Sequence, residues 1–424
     1  MTVLALSVVH RRRVPVVALG TCLLSFTAFW LAQRAAQVSM IDLMVYRAEG
    51  ATVRAGGDLY ALRATAAQLP TTYPPFAALL FTPLTLPGTE VLRALATAGN
   101  LALLVVFVRQ SLLLVGERRG TAVWWTAAVA VWCEPVWTTL RYGQINLLLA
   151  VLVLWDLSRR ERARWAGVGI GLAAAVKLTP ALFVVFLLAT GAVAYVRRGP
   201  GGPWLRHARG AVAAFAGATG LAAAVLPYDS WRFWSAMVFR AGRVGHAEET
   251  ANQALRGVLA RLLHSPDPGG WWLAVAVVAA GAGLAVAVVA ELRGRRPWAV
   301  CAVAVTALLV SPVSWSHHWV WCVPLALLLG SRAYRAGAVA TSVVFCSYAL
   351  WWVPHGPHRP ELRQGGAELT LSALYALTGC AFLAVTARRE RTWGRTRGRR
   401  KDVRRVVRGV RGVRVKPSRT NRTV

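Results

Sequence analysis

Pro74-Pro-Phe-Ala-Ala-Leu-Leu-Phe-Thr-Pro-Leu-Thr-Leu-Pro87 is apolar, short, and broken by proline at both ends and in the middle. Its reading decides the fold. Counted as a full membrane crossing, it inverts every later loop against its arginines. Read as a re-entrant or interfacial helix, it leaves the Arg-rich breaks on one side, as expected because basic residues at membrane exits hold a segment on the cytoplasmic face. We adopt the second reading. Hydrophobic runs near 14–32, 91–115, 121–137, 145–157, 166–178, 180–196, 210–226, 271–290, 298–310, 319–331, 337–353 and 368–386 surround it. They predict an all-α polytopic membrane protein of about twelve transmembrane helices, several of them short.

Composition agrees, with 56% hydrophobic and 16% charged residues in a chain of 424. The net charge of +32 invites a nucleic-acid reading, but no nucleic-acid module accompanies it. Much of the charge lies in the tail from Ala387 to Val424, which holds 16 Lys/Arg against Glu390 and Asp402. Basic residues in that position set topology and favour anionic membrane lipids, so lipids and not nucleic acid are the expected partners. His10-Arg11-Arg12-Arg13 and the apolar run that follows resemble an uncleaved signal anchor. The expected organisation is a cytoplasmic basic N-terminus over 1–13, a membrane domain over 14–386 with outer loops at 33–90, 227–268, 311–318 and 354–367, and a disordered cytoplasmic tail over 387–424. The six cysteines all lie in apolar runs without a CxxC pair and read as small buried hydrophobes.

The outer side then collects the conspicuous polar residues of a greasy protein. If 41–54 is helical, Asp42, Tyr46 and Glu49 recur at i, i+4 and i+7 on one face. A carboxylate just outside a bilayer can serve as a general base on a sugar hydroxyl; the same pattern also describes an amphipathic interfacial helix showing its polar side to water. Lys177, at the end of a Gly-rich apolar run, must reach the interface or find an anion. With Arg240, Arg243, Arg256, His246, His317 and His318 it offers cations to a leaving phosphate. Trp231, Trp234, Trp315 and Trp319 can face a prenyl chain or a sugar, or form an ordinary aromatic belt. Adjacent His317 and His318 lack the i, i+4 spacing of helical zinc sites, so no metal is expected. No Walker A motif, dinucleotide fingerprint or catalytic-serine elbow is present, which disfavours a cytosolic nucleotide-driven enzyme. The Asp-x-Asp pair that soluble glycosyltransferases use to hold a metal is absent as well.

Six segments in order carry a resemblance: Ile41-Asp-Leu-Met-Val-Tyr46 with Gly56-Gly-Asp-Leu-Tyr60, Tyr73-Pro-Pro-Phe76, Arg141-Tyr-Gly-Gln-Ile-Asn146, Ala175-Val-Lys-Leu-Thr-Pro180, Asn252-Gln-Ala-Leu-Arg-Gly257 and Ser311-Pro-Val-Ser-Trp-Ser-His-His318. Over about residues 14 to 386 the chain resembles glycosyltransferase family 87, the actinobacterial polyprenol-phosphate-mannose-dependent α-1,2-mannosyltransferases with the GT-C fold. The resemblance implies a plasma-membrane enzyme with an outward-facing site and no cofactor. It implies a polyprenyl-phosphate-sugar donor and a glycolipid or lipoglycan acceptor. It makes Asp42 the catalytic base of an inverting transfer, with Tyr46, Glu49, Tyr73, Lys177, Asn252, Arg256, His317 and His318 as substrate-binding candidates. Another sugar on the same carrier, such as arabinofuranose, stays open, since sugar identity rests on a few hydroxyl contacts. A transporter or flippase is the remaining alternative, but midplane ionisable groups and repeat symmetry between halves are not seen.

Overall fold

The computed structural model describes residues 2–159, 163–199, 202–331 and 334–411. These residues are mostly helical, with one two-stranded antiparallel hairpin that pairs Arg63 with Pro70 and Ala64 with Leu69. Four helices are long and apolar enough to cross a membrane: Val14–Ala35, Thr89–Leu114, Gly202–Val225 and Gly270–Leu292. Two further pairs qualify only when joined across a bend, Glu134–Tyr142 with Asn146–Leu157 at 116° and Gly366–Ser372 with Leu374–Thr392 at 73°. Among the described residues four helices, or six if each bent pair is one span, qualify by length and composition, so the expected count of about twelve is not confirmed. Several of the short runs form helices of only nine residues, such as Val168–Val176 and Cys322–Gly330. Nine residues rise ~13 Å, under half of a ~30 Å hydrocarbon core. A hydrophobic run shows that a segment is buried; it does not separate burial in lipid from burial in protein.

The segment 74–87 forms helix Pro75–Phe81 and a 3₁₀ turn Thr82–Thr85. It is too short to span and packs on helix Ile41–Arg54, which begins at the expected residue. Gly50 permits that contact, since a Cβ there would stand 2.4 Å from the Phe81 carbonyl oxygen. The bend after Tyr142 needs its glycine for two reasons. Gly143 has φ 69°, and a Cβ on it would lie 2.7 Å from the Leu43 Cβ. The corner of the bent pair is thereby pressed against the Asp42 helix.

Asn146 and Asp156 mark the two ends of one helix, Asn146–Leu157, ~15 Å apart along its axis. At the far end Asp156 caps the backbone N–H groups of Gly167 and Ile170 at 2.7 and 3.0 Å. Glu390 is buried and accepts from Arg293 and Arg295 at 2.8 and 2.7 Å. Helix Leu374–Arg411 continues through the start of the basic tail. Residues 412–424 lie outside the described residues. Two cysteine expectations need correction. Cys380 is exposed, and the half-buried Cys133 and Cys346 sulfurs are 3.2 Å apart.

Candidate active site

A cavity of about 440 Å³ opens between helix Ile41–Arg54, the bend at 142–146, Lys177, the 237–251 loop and the Ser311–His318 segment. One wall comes from a single helix. Met40 starts it in the left-handed region at φ 52°, which turns Asp42 into the cavity from the first turn. One turn on, the Tyr46 hydroxyl donates to Gln144 Oε1 at 2.7 Å and lies 2.8 Å from the Tyr73 hydroxyl. Tyr73 donates to the same Gln144 oxygen at 3.2 Å. Tyr46 also stacks on Phe81 at 4.4 Å, so the wall is rigid. Burial raises the Asp42 carboxyl to about 6, while Gln144 and a protonated Lys177 pull the other way. A carboxylate with that value is largely ionised at neutral pH yet more basic than a solvated one.

Glu49 shares the face of Asp42 and Tyr46 but not the cavity. It is fully buried, and neither carboxylate oxygen meets a donor at hydrogen-bonding geometry. Burial raises it to about 8, with Thr71 and Arg243 lowering it and Asp42 raising it further. At neutral pH it is therefore mainly a neutral acid behind the wall. Expected beside the substrate, Glu49 is not among the residues that line this cavity. The face of a 14-residue helix is long enough for one end to line a cavity while the other enters the protein.

The opposite wall is assembled from distant pieces. Lys177 Nζ lies 2.9 Å from His318 Nε2 and 3.3 Å from Asn146 Oδ1, with the Tyr73 ring centroid 5.5 Å away. The Trp315 N–H donates to His318 Nδ1 at 3.2 Å. A neutral His318 thus carries its proton on Nε2, facing Lys177 Nζ, and burial lowers the lysine to about 8. A lysine that takes up a proton must turn from the ring toward an anion in the cavity. Burial keeps both imidazoles well below their ordinary pKa, and the Lys177 charge adds to the effect. His317 lines the cavity with its Nε2 lacking a hydrogen-bond partner.

The segment bearing these histidines is held by buried hydrogen bonds. Thr139 Oγ1 and Asn146 Nδ2 donate to the His317 carbonyl at 2.8 and 2.9 Å. Ser316 donates to Glu134 Oε1 at 2.8 Å, as Thr138 does at 2.9 Å and the Trp351 indole at 3.2 Å. The Tyr375 hydroxyl donates to Glu134 Oε2 at 2.9 Å. Asn252 Oδ1 accepts from Ser314 N at 3.0 Å, and Gln253 N donates to Ser314 O at 2.7 Å.

Of the sequence-predicted residues, Asp42, Tyr46, Tyr73, Lys177, His317 and His318 meet at the cavity. Asn252 does not line it; fully buried, it pins the histidine segment. Arg256 does not line it either, and sits 5.7 Å from the Trp272 ring. Arg240 and Arg243 do line it, Arg243 also donating to the Thr71 and Thr72 carbonyls. Trp315 faces the cavity, Trp319 is buried and Trp231 is exposed. Sequence reasoning passed over Gln144 and Asn146 as members of a quoted motif without a role. It also passed over Glu134, and Glu249, a second carboxylate on the cavity wall, whose loop carries no periodicity to betray it.

The family model for glycosyltransferase family 87 matches residues 72–312. Asp42 precedes the matched stretch and His317 follows it. A polyprenol-phosphate-mannose-dependent alpha-(1-2)-phosphatidylinositol pentamannoside mannosyltransferase of Mycobacterium tuberculosis is 36% identical over 313 residues, 71% of this chain and 69% of the relative. A polyprenol-phosphate-mannose-dependent alpha-(1-2)-phosphatidylinositol mannoside mannosyltransferase from the same species is 33% identical, covering 68% of each chain. Its namesake in Mycolicibacterium smegmatis is 34% identical and covers 78% of each. No solved structure matches the chain.

Proposed function

The chain belongs to glycosyltransferase family 87, and from that premise we propose that it moves mannose from a polyprenyl-phosphate donor to the 2-hydroxyl of a mannoside on a phosphatidylinositol-type glycolipid, on the outer face of the plasma membrane. One observation carries the reading. A half-buried carboxylate, Asp42, shares a single cavity with the Lys177–His318 pair held on the other wall. Inverting transfer needs that division, a base on one side of the anomeric carbon and charge stabilisation for the leaving group on the other.

In this reaction Asp42 accepts the proton of the acceptor 2-hydroxyl. The freed oxygen pair forms the new bond to the anomeric carbon from the side opposite the phosphate. The bond from that carbon to the phosphate oxygen breaks, and its electron pair leaves with polyprenyl phosphate, turning a β-linked donor into an α-1,2 product. Lys177, drawn from His318 as an ammonium, and the His317 and His318 N–H groups take the charge that gathers on the phosphate. Fixed donors in a site shielded from bulk water are typically worth ~10²–10³ in rate each. Leu178, Phe233, Met237 and Val238 give the cavity an apolar side suited to the first prenyl units.

The test is transfer from polyprenyl phosphomannose by purified protein, against a panel of mannoside acceptors and with chelator present. Formation of an α-1,2-linked product without added metal is expected. No product with any mannoside, or activity with a nucleotide sugar alone, would overturn the assignment.

A further inference from the structure

A second cavity, of about 620 Å³, lies between the end of helix Val14–Ala35 and the start of helix Thr89–Leu114. Trp30, Gln33, Arg34, Met40, Glu90 and Arg93 are among its lining residues. Met40 belongs to this cavity while Ile41 and Asp42 belong to the first, so the two lie back to back across that short segment. The chemistry of the lining is specific. Arg93 pairs with Glu90 at 2.8 Å, and Arg34 reaches the same carboxylate at 3.8 Å, so two guanidiniums face one carboxylate. The Nε of Arg93 is buried with no partner, and so is the Oε1 of Gln33, a side chain only 7% exposed. An orphan donor and an orphan acceptor in one cavity call for a ligand with both anionic oxygens and hydroxyls. Arg34 lies 5.7 Å from the Trp30 ring, an aromatic–cation pair suited to the headgroup level where an apolar helix leaves the membrane. Leu31 and Leu95, both exposed, stand deeper on the same two helices, where acyl chains would run.

We propose that this cavity is a lipid-headgroup site that takes the phosphodiester of a polyol phospholipid, with Arg93 and Arg34 on the phosphate and Gln33 accepting from a ring hydroxyl. On the reading of the preceding subsection, the acceptor glycolipid is a lipid of this class, and its headgroup sugars would leave the cavity past Met40 toward Asp42. The site itself stands on the lining residues and needs no turnover to be tested.

The experiment is native mass spectrometry of the full-length protein in detergent, titrated separately with phosphatidylinositol, phosphatidylcholine, and soluble inositol phosphate. Phosphatidylinositol should be retained at least tenfold more tightly than phosphatidylcholine, and soluble inositol phosphate should compete only weakly. Arg93→Gln should erase most of that preference and Gln33→Leu should reduce it several-fold. Arg118→Gln, at a distant turn, should not change it. Equal retention of the two lipids, or an unchanged preference in both Arg93→Gln and Gln33→Leu, overturns the proposal. Competition by inositol phosphate as strong as that by the lipid overturns the lipid source in favour of a soluble phosphate. Because no sugar transfer is measured, a negative result here leaves the mannosyltransferase reading standing, and loss of that reading leaves this site standing.

Discussion

The two walls of the Asp42 cavity are built in opposite ways. On one, the 3.6-residue period of helix Ile41–Arg54 places Asp42 and Tyr46, and the surrounding contacts only lock what the period has set. On the other, the Ser-His-His segment begins a short 3₁₀ helix, Ser316–Trp321, that is anchored by side chains from elsewhere. Its geometry comes from Glu134 and Thr139 on one short helix, Asn146 just past the bend that ends it, and Asn252 from a distant loop. A helical wall loses its chemistry when the functional residue itself is changed. A loop wall can also lose it through a residue that never touches the ligand, because buried hydrogen bonds with polar partners are costly to leave unmade.

The largest effect should be at Asp42. Asp42→Asn keeps shape and removes the base, and should cost ~10²–10⁴ in kcat at matched membrane expression. In the unmodified enzyme, kcat/KM should fall about tenfold per pH unit below about pH 6, where Asp42 takes up a proton. The comparison breaks if Glu249→Gln is the dead variant and Asp42→Asn is active, since the base would then sit on the loop wall. Next comes Lys177→Ala, expected to lower kcat ~10²-fold with polyprenyl-phosphate donor by removing charge stabilisation. A rise in acceptor KM with unchanged kcat would instead put Lys177 on the acceptor side.

Glu134 sharpens the contrast, because it lies outside the cavity lining. Glu134→Gln keeps the size but weakens acceptance from Ser316, Thr138, Trp351 and Tyr375. A drop in kcat of ~10-fold is expected, with little change in melting temperature relative to Glu134→Ala, which leaves buried donors unpaired at ~1–3 kcal/mol each. Equal activity in Glu134→Gln and the parent would mean that the loop wall holds its shape without the carboxylate.

The smallest effect on turnover is expected at Glu49, and its signature is in stability. Its carboxyl sits at about 8 in the folded protein against an ordinary value of 4.5. Between those values the folded state binds the extra proton, so its contribution to stability is full below about pH 4.5, falls as pH rises through the window, and is flat above 8. Glu49→Gln should flatten the melting temperature between pH 5 and pH 8 while leaving kcat within a few-fold. An unchanged slope would show that Glu49 is ionised in the fold.

The pattern Asp42, Tyr46, Glu49 was legible because it is periodic, and so was the short 74–87 helix, because its prolines forbid a long one. Lys177 and the two histidines were legible as polar residues stranded in apolar sequence. Glu134 and Glu249 were not, being single carboxylates in loops or helix starts with nothing local to distinguish them from surface residues. Arg256 and Asn252 sit in a quoted motif but outside the cavity lining, Asn252 holding Ser314 and Arg256 lying beside the Trp272 ring.

By itself, then, the sequence determined the class of molecule and the content of the helical wall, since hydropathy and helical period are local properties that survive without knowledge of the partner. Only the tertiary structure decided how many helices are long enough to span, that Glu49 turns inward while Asp42 faces the cavity, and that Lys177 meets His318. Those depend on which surface comes to lie against which. A nine-residue apolar helix and a buried carboxylate acquire their meaning only from what is packed beside them.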